Sequence, residues 1–186
     1  EKLRDLNPRQ VVVVDSESTD GTRQIATDAG AEVVVHPWPG NQAAQFNWFI
    51  DNQAIDTEWV LRIDADEWLT PELIEESKAK MPTMSEDVSG IVLKRRHYFA
   101  GGWAKHGTYP VRILRLFRSG KARYADNMVM DEHLIVKGKT IGFDHDFVDE
   151  SLISMDQWRE KHRGYAKREA QMVIDGKVNG NKVTYY

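Results

Sequence analysis

Three carboxylates fall within four residues at Asp64-Ala65-Asp66-Glu67, directly after the apolar run Trp59-Val60-Leu61-Arg62-Ile63. Carboxylates this close repel one another and raise each other's pKa unless a cation lies between them. Their hard oxygens suit Mg²⁺ or Mn²⁺, ions that keep positions open for water and substrate phosphates. Read as a strand, Trp59 to Ile63 presents Asp64 and Asp66 on one side of its C-terminal end, because side chains alternate along an extended chain. The carboxyl end of a strand is also where open α/β sheets place ligands. The plainer alternative is a solvated acidic turn in front of the helix that Thr70-Pro71-Glu72 opens, and an isolated Asp-x-Asp matches by chance too often to decide. An EF-hand Ca²⁺ loop is excluded, since the required central Gly and terminal Glu are missing.

The elements around this motif follow from the apolar pattern. Val11 to Val14 reads as a strand covered on both faces. It ends in the cap-rich loop Asp15-Ser16-Glu17-Ser18-Thr19-Asp20-Gly21-Thr22, from which a helix runs to about Ala29 and stops at Gly30. Ala31 to Val35 is a second short strand, His36-Pro37-Trp38-Pro39-Gly40 a loop, and Asn41 to Asn52 a helix leading to the Trp59 strand. Strand–helix alternation over the first ~80 residues predicts a Rossmann-like, mostly parallel sheet flanked by helices, in the α/β class. Further on, strands are expected from Gly90 through Phe99, from Val111 to Phe117, and in short pieces at Val129 to Asp131 and His133 to Val136. Ser154-Met155-Asp156-Gln157 is a capping box for a helix reaching about Ile174.

Composition narrows the classes. The 186 residues suit one domain with a real core. With no cysteine, a disulfide framework and a thiolate metal site are both excluded. A net charge of −4 argues against a general nucleic-acid binder. No apolar run approaches the ~18 residues of a membrane span, and the N-terminus does not read as a secretory signal.

The loop Asp15 to Thr22, then Gln45-Phe46-Asn47-Trp48, then Trp59 to Glu67, taken in that order and spacing, resembles the GT-A glycosyltransferases of family 2. Within them the chain looks most like the bacterial branch that adds sugars to lipopolysaccharide core or other surface glycans. The likeness continues through Tyr109-Pro110, Arg115-Leu116-Phe117-Arg118 and Asp131-Glu132-His133 into the terminal helix. It implies a single GT-A domain over 1–186, with a nucleotide-binding half at 1–80 and an acceptor-binding half at 90–186. Family members begin with an apolar strand and a turn that contacts the nucleotide, so the resemblance also implies a first strand that this sequence lacks.

Roles follow from the same resemblance. Asp15 is expected to recognise the nucleotide base. Asp66 is expected to bind Mg²⁺ or Mn²⁺ directly, with Asp64 on the ribose or on metal-bound water and His145 as candidate third ligand. The general base of an inverting transfer is expected at Asp131 or Glu132, with Asp131 preferred, within hydrogen-bond reach of the acceptor oxygen. Arg95, Arg96, Trp103 and Lys105 are the acceptor-binding candidates, Trp103 as a sugar-stacking platform and the cations as phosphate grips. The expected partners are a nucleotide-sugar donor, UDP-sugar first, and a glycan or lipid-linked acceptor. The basic face of the terminal helix could approach an anionic membrane, which would place the protein in the cytoplasm at the inner membrane face. Two other classes compete: a sugar-nucleotide pyrophosphorylase, whose Gly-rich phosphate loop is not visible, and a non-catalytic GT-A-like domain that binds glycan or nucleotide.

Overall fold

The structure, a computed structural model, describes residues 3–107, 109–125 and 134–175. After a single 3₁₀ turn at Arg4–Leu6, the chain forms β1 (Val12–Asp15), α1 (Thr22–Asp28), β2 (Glu32–Val35), α2 (Gln42–Asn52) and β3 (Trp59–Leu61). Next come β4 (Glu67–Leu69), α3 (Pro71–Lys80), β5 (Val88–Phe99), β6 (Gly102–Trp103) and β7 (Val111–Arg118). The short β8 (Ala122–Arg123) and β9 (Ile135–Val136) precede the long β10 (Lys139–Ser151) and the terminal α4 (Met155–Ile174).

Local chemistry sets the helix ends. Asn41 caps α2 by accepting from the Ala44 amide, and Thr70 caps α3 by accepting from Leu73, with Pro71 at the first helical position. Both halves of the Ser154–Gln157 capping box form at α4.

The main sheet has the order β3-β7-β5-β10-β4, with β6 folded back on β5. Its core joins Ile91, Leu93, Ile113 and Phe147 to Leu73 and Ile74 of α3. At α2, Phe46 meets Phe117 and Tyr124 edge-on, and the Asn47 amide both donates to and accepts from the backbone of Tyr124. The α/β class stands, but the expected parallel pairing is limited to β1–β2 and β5–β10. The other pairings in the main sheet are antiparallel. Strand–helix alternation governs only the first part of the chain: β4 follows β3 through a turn with no intervening helix, and β6 and β7 return on β5 through loops.

The most informative irregularity lies in β10. Gly142 pairs with Val92 and Asp146 with Lys94, so four residues of β10 advance against two of β5. This bulge at 143–145 breaks the period-2 pattern and re-aims the side chains on either side of it.

Among the described residues β1 pairs only with β2, and β3 only with β7. Between them lies a cleft of about 1070 Å³, whose lining includes Val12, Val14, Phe46 and Leu61 as well as Asp64 and Asp66. No helix among the described residues is long and apolar enough to cross a membrane.

Candidate functional site

Strand β3 ends at Leu61, before the acidic residues. Asp64 to Glu67 form a turn, closed by the Glu67 amide donating to the Asp64 carbonyl at 3.0 Å. The closeness of the two aspartates therefore comes from a turn, and alternation along an extended strand is not its cause. Burial raises the pKa of the Asp66 carboxyl, and the carboxylates of Asp149 and Asp64 push it further in the same direction. Lys161 of α4 opposes this only weakly. Asp149 comes from β10, where it pairs with Glu67 of β4, and the Glu150 amide donates to the Asp66 carbonyl at 3.0 Å.

Asp64 is otherwise engaged. Arg62 donates to its Oδ1 at 2.9 Å, and the Arg115 guanidinium stands 3.5 Å from its Oδ2. Arg115 also donates to Glu67, whose second oxygen accepts the Asp64 amide at 2.9 Å. Burial pushes the Glu67 carboxyl up to about 7; Arg115 pulls it down, and Asp64 adds to the rise.

A surplus of acid whose charged form is disfavoured is the donor set a hard divalent cation neutralises. Mg²⁺ in particular needs only one or two carboxylates when substrate phosphates complete its shell. Asp66 fits that requirement, and Asp64, whose two oxygens face Arg62 and Arg115, stands beside it in the lining of the cleft. No group of three or more His, Asp and Glu side chains placed to hold a metal on its own is found among the described residues.

His145 is not brought to this turn. It sits in the β10 bulge, where its Nδ1 stands 2.9 Å from Glu76 of α3. Four residues of strand, about 13 Å when extended, separate it from Asp149. Glu76 accepts the amides of Asp144 and His145 and the ammonium of Lys80 as well. Burial pushes its pKa up, but this set of donors outweighs burial and holds the carboxyl down at about 2. His145 is thus a buttress of the bulge, and the three-ligand centre expected from sequence does not assemble.

Asp15 closes β1 with its side chain buried at 2% exposure. Its carboxylate accepts the Ser18 amide at 2.9 Å, with Arg23 3.7 Å away. Hydrogen bonding from Ser18 lowers its pKa, and Arg23 adds a smaller pull. Val14 and Ser16 line the cleft, while Asp15 itself is turned into its own loop.

The acceptor candidates do cluster, with their contacts already made. Arg96 lies over the Trp103 ring at 4.5 Å and Lys105 at 4.9 Å, while Tyr109 meets its edge. The indole Nε1 is buried with no hydrogen-bond partner among the described residues. Trp103 is therefore packed between cations, not displayed as an open platform. Arg96 and Tyr109 both reach the buried Asp146, whose carbonyl accepts the Thr70 hydroxyl that caps α3. Arg95 and His97 approach Asp149 at 3.7 and 3.2 Å. Asp131 and Glu132, the two candidates for the base, lie outside the described residues.

Sequence reasoning missed Glu67, Arg115, Asp146 and Asp149 as site-shaping residues. Arg112, Arg115 and Arg118 recur every third residue along one strand, so they cannot share a face, and one of them had to turn inward. That was the signal for Arg115.

The family model for glycosyl transferase family 2 matches residues 2–151, and the chain belongs to that family. Its α/β sheet and helices accord with the GT-A fold the family implies. The chain is 31% identical over 137 residues to an uncharacterized glycosyltransferase of Rickettsia typhi, covering 72% of this chain and 46% of that protein. It is 33% identical over 135 residues to the lipopolysaccharide core biosynthesis glycosyltransferase LpsC of Rhizobium meliloti, covering 69% and 48%. A shorter match, 43% over 63 residues, links it to the glycosyltransferase AglJ of Haloferax volcanii, covering 34% and 20%. The chain thus matches less than half the length of these relatives.

Proposed function

We propose that this chain carries the donor-binding core of an inverting, metal-dependent glycosyltransferase, taking a nucleotide sugar, UDP-sugar first, to a hydroxyl of a bacterial surface glycan or lipid-linked acceptor. The observation that carries the reading is the acidic turn in the lining of the cleft, where burial and two neighbouring carboxylates raise the Asp66 pKa. Family membership supports the reaction class, and the likeness to LpsC, a lipopolysaccharide core biosynthesis glycosyltransferase, supports the acceptor class.

Asp66 would hold Mg²⁺ or Mn²⁺ directly, with Asp64 on the ribose or on metal-bound water; when bound, the ion supplies Lewis-acid neutralisation of the charge growing on the departing nucleotide diphosphate. The remaining tasks fall to the chain. Arg62 and Arg115 fix Asp64 from behind. Arg96, held by Asp146, and Lys105, with Trp103 packed between them, form a cationic wall for the acceptor. A carboxylate at Asp131 or Glu132 would take the proton from the acceptor hydroxyl as that oxygen attacks the anomeric carbon and the diphosphate leaves. Contact with the inner face of a membrane is part of the proposal. Leu152, 85% exposed, and Met155 stand at the start of α4, whose Lys161 and Arg168 flank Tyr165.

Release of UDP from a panel of UDP-sugars, compared with GDP- and CDP-sugars, tests the reaction and the donor together. Wild type should release UDP in the presence of Mn²⁺, and one of Asp131→Asn and Glu132→Gln should abolish that release. Equal rates in both variants and wild type would overturn the assignment of the base. Tight nucleotide binding without turnover on any sugar would favour the non-catalytic binding domain, a reading supported by the engagement of both Asp64 oxygens with arginines.

A further inference from the structure

Arg115 is 3% exposed and lies under the acidic turn. Its carbonyl accepts the Arg62 amide at 2.9 Å, so its backbone is fixed beside the end of β3. The guanidinium rests over the Phe147 ring at 5.3 Å. It gives one nitrogen to Glu67 and, at 3.5 Å, to Asp64, while Nε and Nη1 have no hydrogen-bond partner among the described residues. A buried ion pair is a poor source of net stability, because desolvation consumes most of the Coulomb gain. What it does supply is geometry. Glu67, with its side chain only 3% exposed, has one oxygen on Arg115 and the other on the Asp64 amide. The direction of the Asp64–Asp66 backbone thus depends on Glu67, and that of Glu67 on Arg115.

We infer that Arg115, acting through Glu67, is the positioning residue that holds the acidic turn in the shape that binds cation and nucleotide. The inference deepens the transferase reading and rests on it for the ligand. Its structural half, the locking of the turn, can be measured without ligand. Arg115 touches neither donor nor acceptor in this account; its effect passes through Glu67 and the Asp64 amide.

Two measurements on Arg115→Met, Arg115→Lys, Glu67→Gln and the Arg115→Met/Glu67→Gln pair test it. Methionine keeps the packing on Phe147 without the charge, and lysine restores a point charge without the planar fork. In ligand-free protein, amide exchange by NMR should accelerate at Asp64 to Glu67 in Arg115→Met, with partial rescue in Arg115→Lys. The core amides of β5 and β10 should exchange as in wild type. Because both residues act through one link, the double variant should be no worse than the worse single variant. Unchanged exchange at Asp64 to Glu67, acceleration spread evenly over the sheet, or fully additive effects would each overturn the inference. The second measurement is Mn²⁺ binding with UDP, read from the EPR signal of free Mn²⁺, where Arg115→Met should weaken affinity roughly tenfold. Wild-type binding that Arg115→Met leaves intact overturns the inference and spares the transferase reading. A turn loosened locally in Arg115→Met, together with a wild type that binds no Mn²⁺ with UDP, overturns the transferase reading and supports the locking.

Discussion

Glu67 and Glu76 are both nearly closed to solvent, at 3% and 4% side-chain exposure, and each faces a basic side chain. Yet one carboxyl is pushed up to about 7 and the other held down at about 2. Burial raises both, and it weighs more on Glu67, which lies deeper in the protein; the donors widen the difference. Glu76 collects Lys80, the His145 ring and the two bulge amides, with one carboxylate nearby, Asp144, that Lys80 also bridges. Glu67 has Arg115 and one amide, and its neighbour Asp64 adds negative charge. The first is a finished structural clamp that stabilises its anion. The second belongs to a turn with more acid than its two arginines offset, the electrostatic state expected of a site that binds a cation.

Breaking the finished clamp should have the largest effect on stability. Glu76→Ala leaves two amides and an ammonium short of an acceptor and should cost about 2–4 kcal/mol, read as a lower urea midpoint. Glu76→Gln sharpens the contrast through pH. A carboxyl whose folded pKa is about 2, against an ordinary 4.5, contributes its full stability above 4.5 and loses it as pH falls toward 2. Wild type should therefore lose stability over that window more steeply than Glu76→Gln; parallel curves would mean that the clamp does not stabilise the anion. A smaller effect is expected from His145→Ala, about 0.5–1.5 kcal/mol for one hydrogen bond. It should leave any Mn²⁺-dependent nucleotide binding unchanged, whereas a lost response would return His145 to the metal site.

The same comparison shows what could be read from the residues beforehand. The helices announced themselves through Asn41, Thr70-Pro71 and Ser154–Gln157, because capping is local chemistry written in adjacent residues. The valine strand and the Val111 strand were equally plain from their apolar patterns. The 13-residue β10 was not, since its bulge at 143–145 destroys the alternation, and the bulge depends on Glu76, some 70 residues away in sequence. That long-range contact is also why His145, chemically a good ligand, is placed elsewhere. Asp64 and Asp66 stood out by type and spacing, but their supports, Arg115 and Asp149, come from other strands and needed the sheet order to be seen. Arg96 and Trp103 were picked for their chemistry, while Asp146, the residue holding Arg96, lies 50 residues further along the chain.

The central claim is that the turn from Asp64 to Glu67 binds a divalent cation together with a nucleoside diphosphate. Thermal unfolding with UDP, GDP and CDP, each with and without Mn²⁺, measures it directly in wild type and in Asp66→Ala. The account predicts that UDP raises the wild-type melting temperature only when Mn²⁺ is present, and that Asp66→Ala removes the shift without lowering the ligand-free melting temperature. An equal shift without the metal, or one that survives in Asp66→Ala, would contradict it.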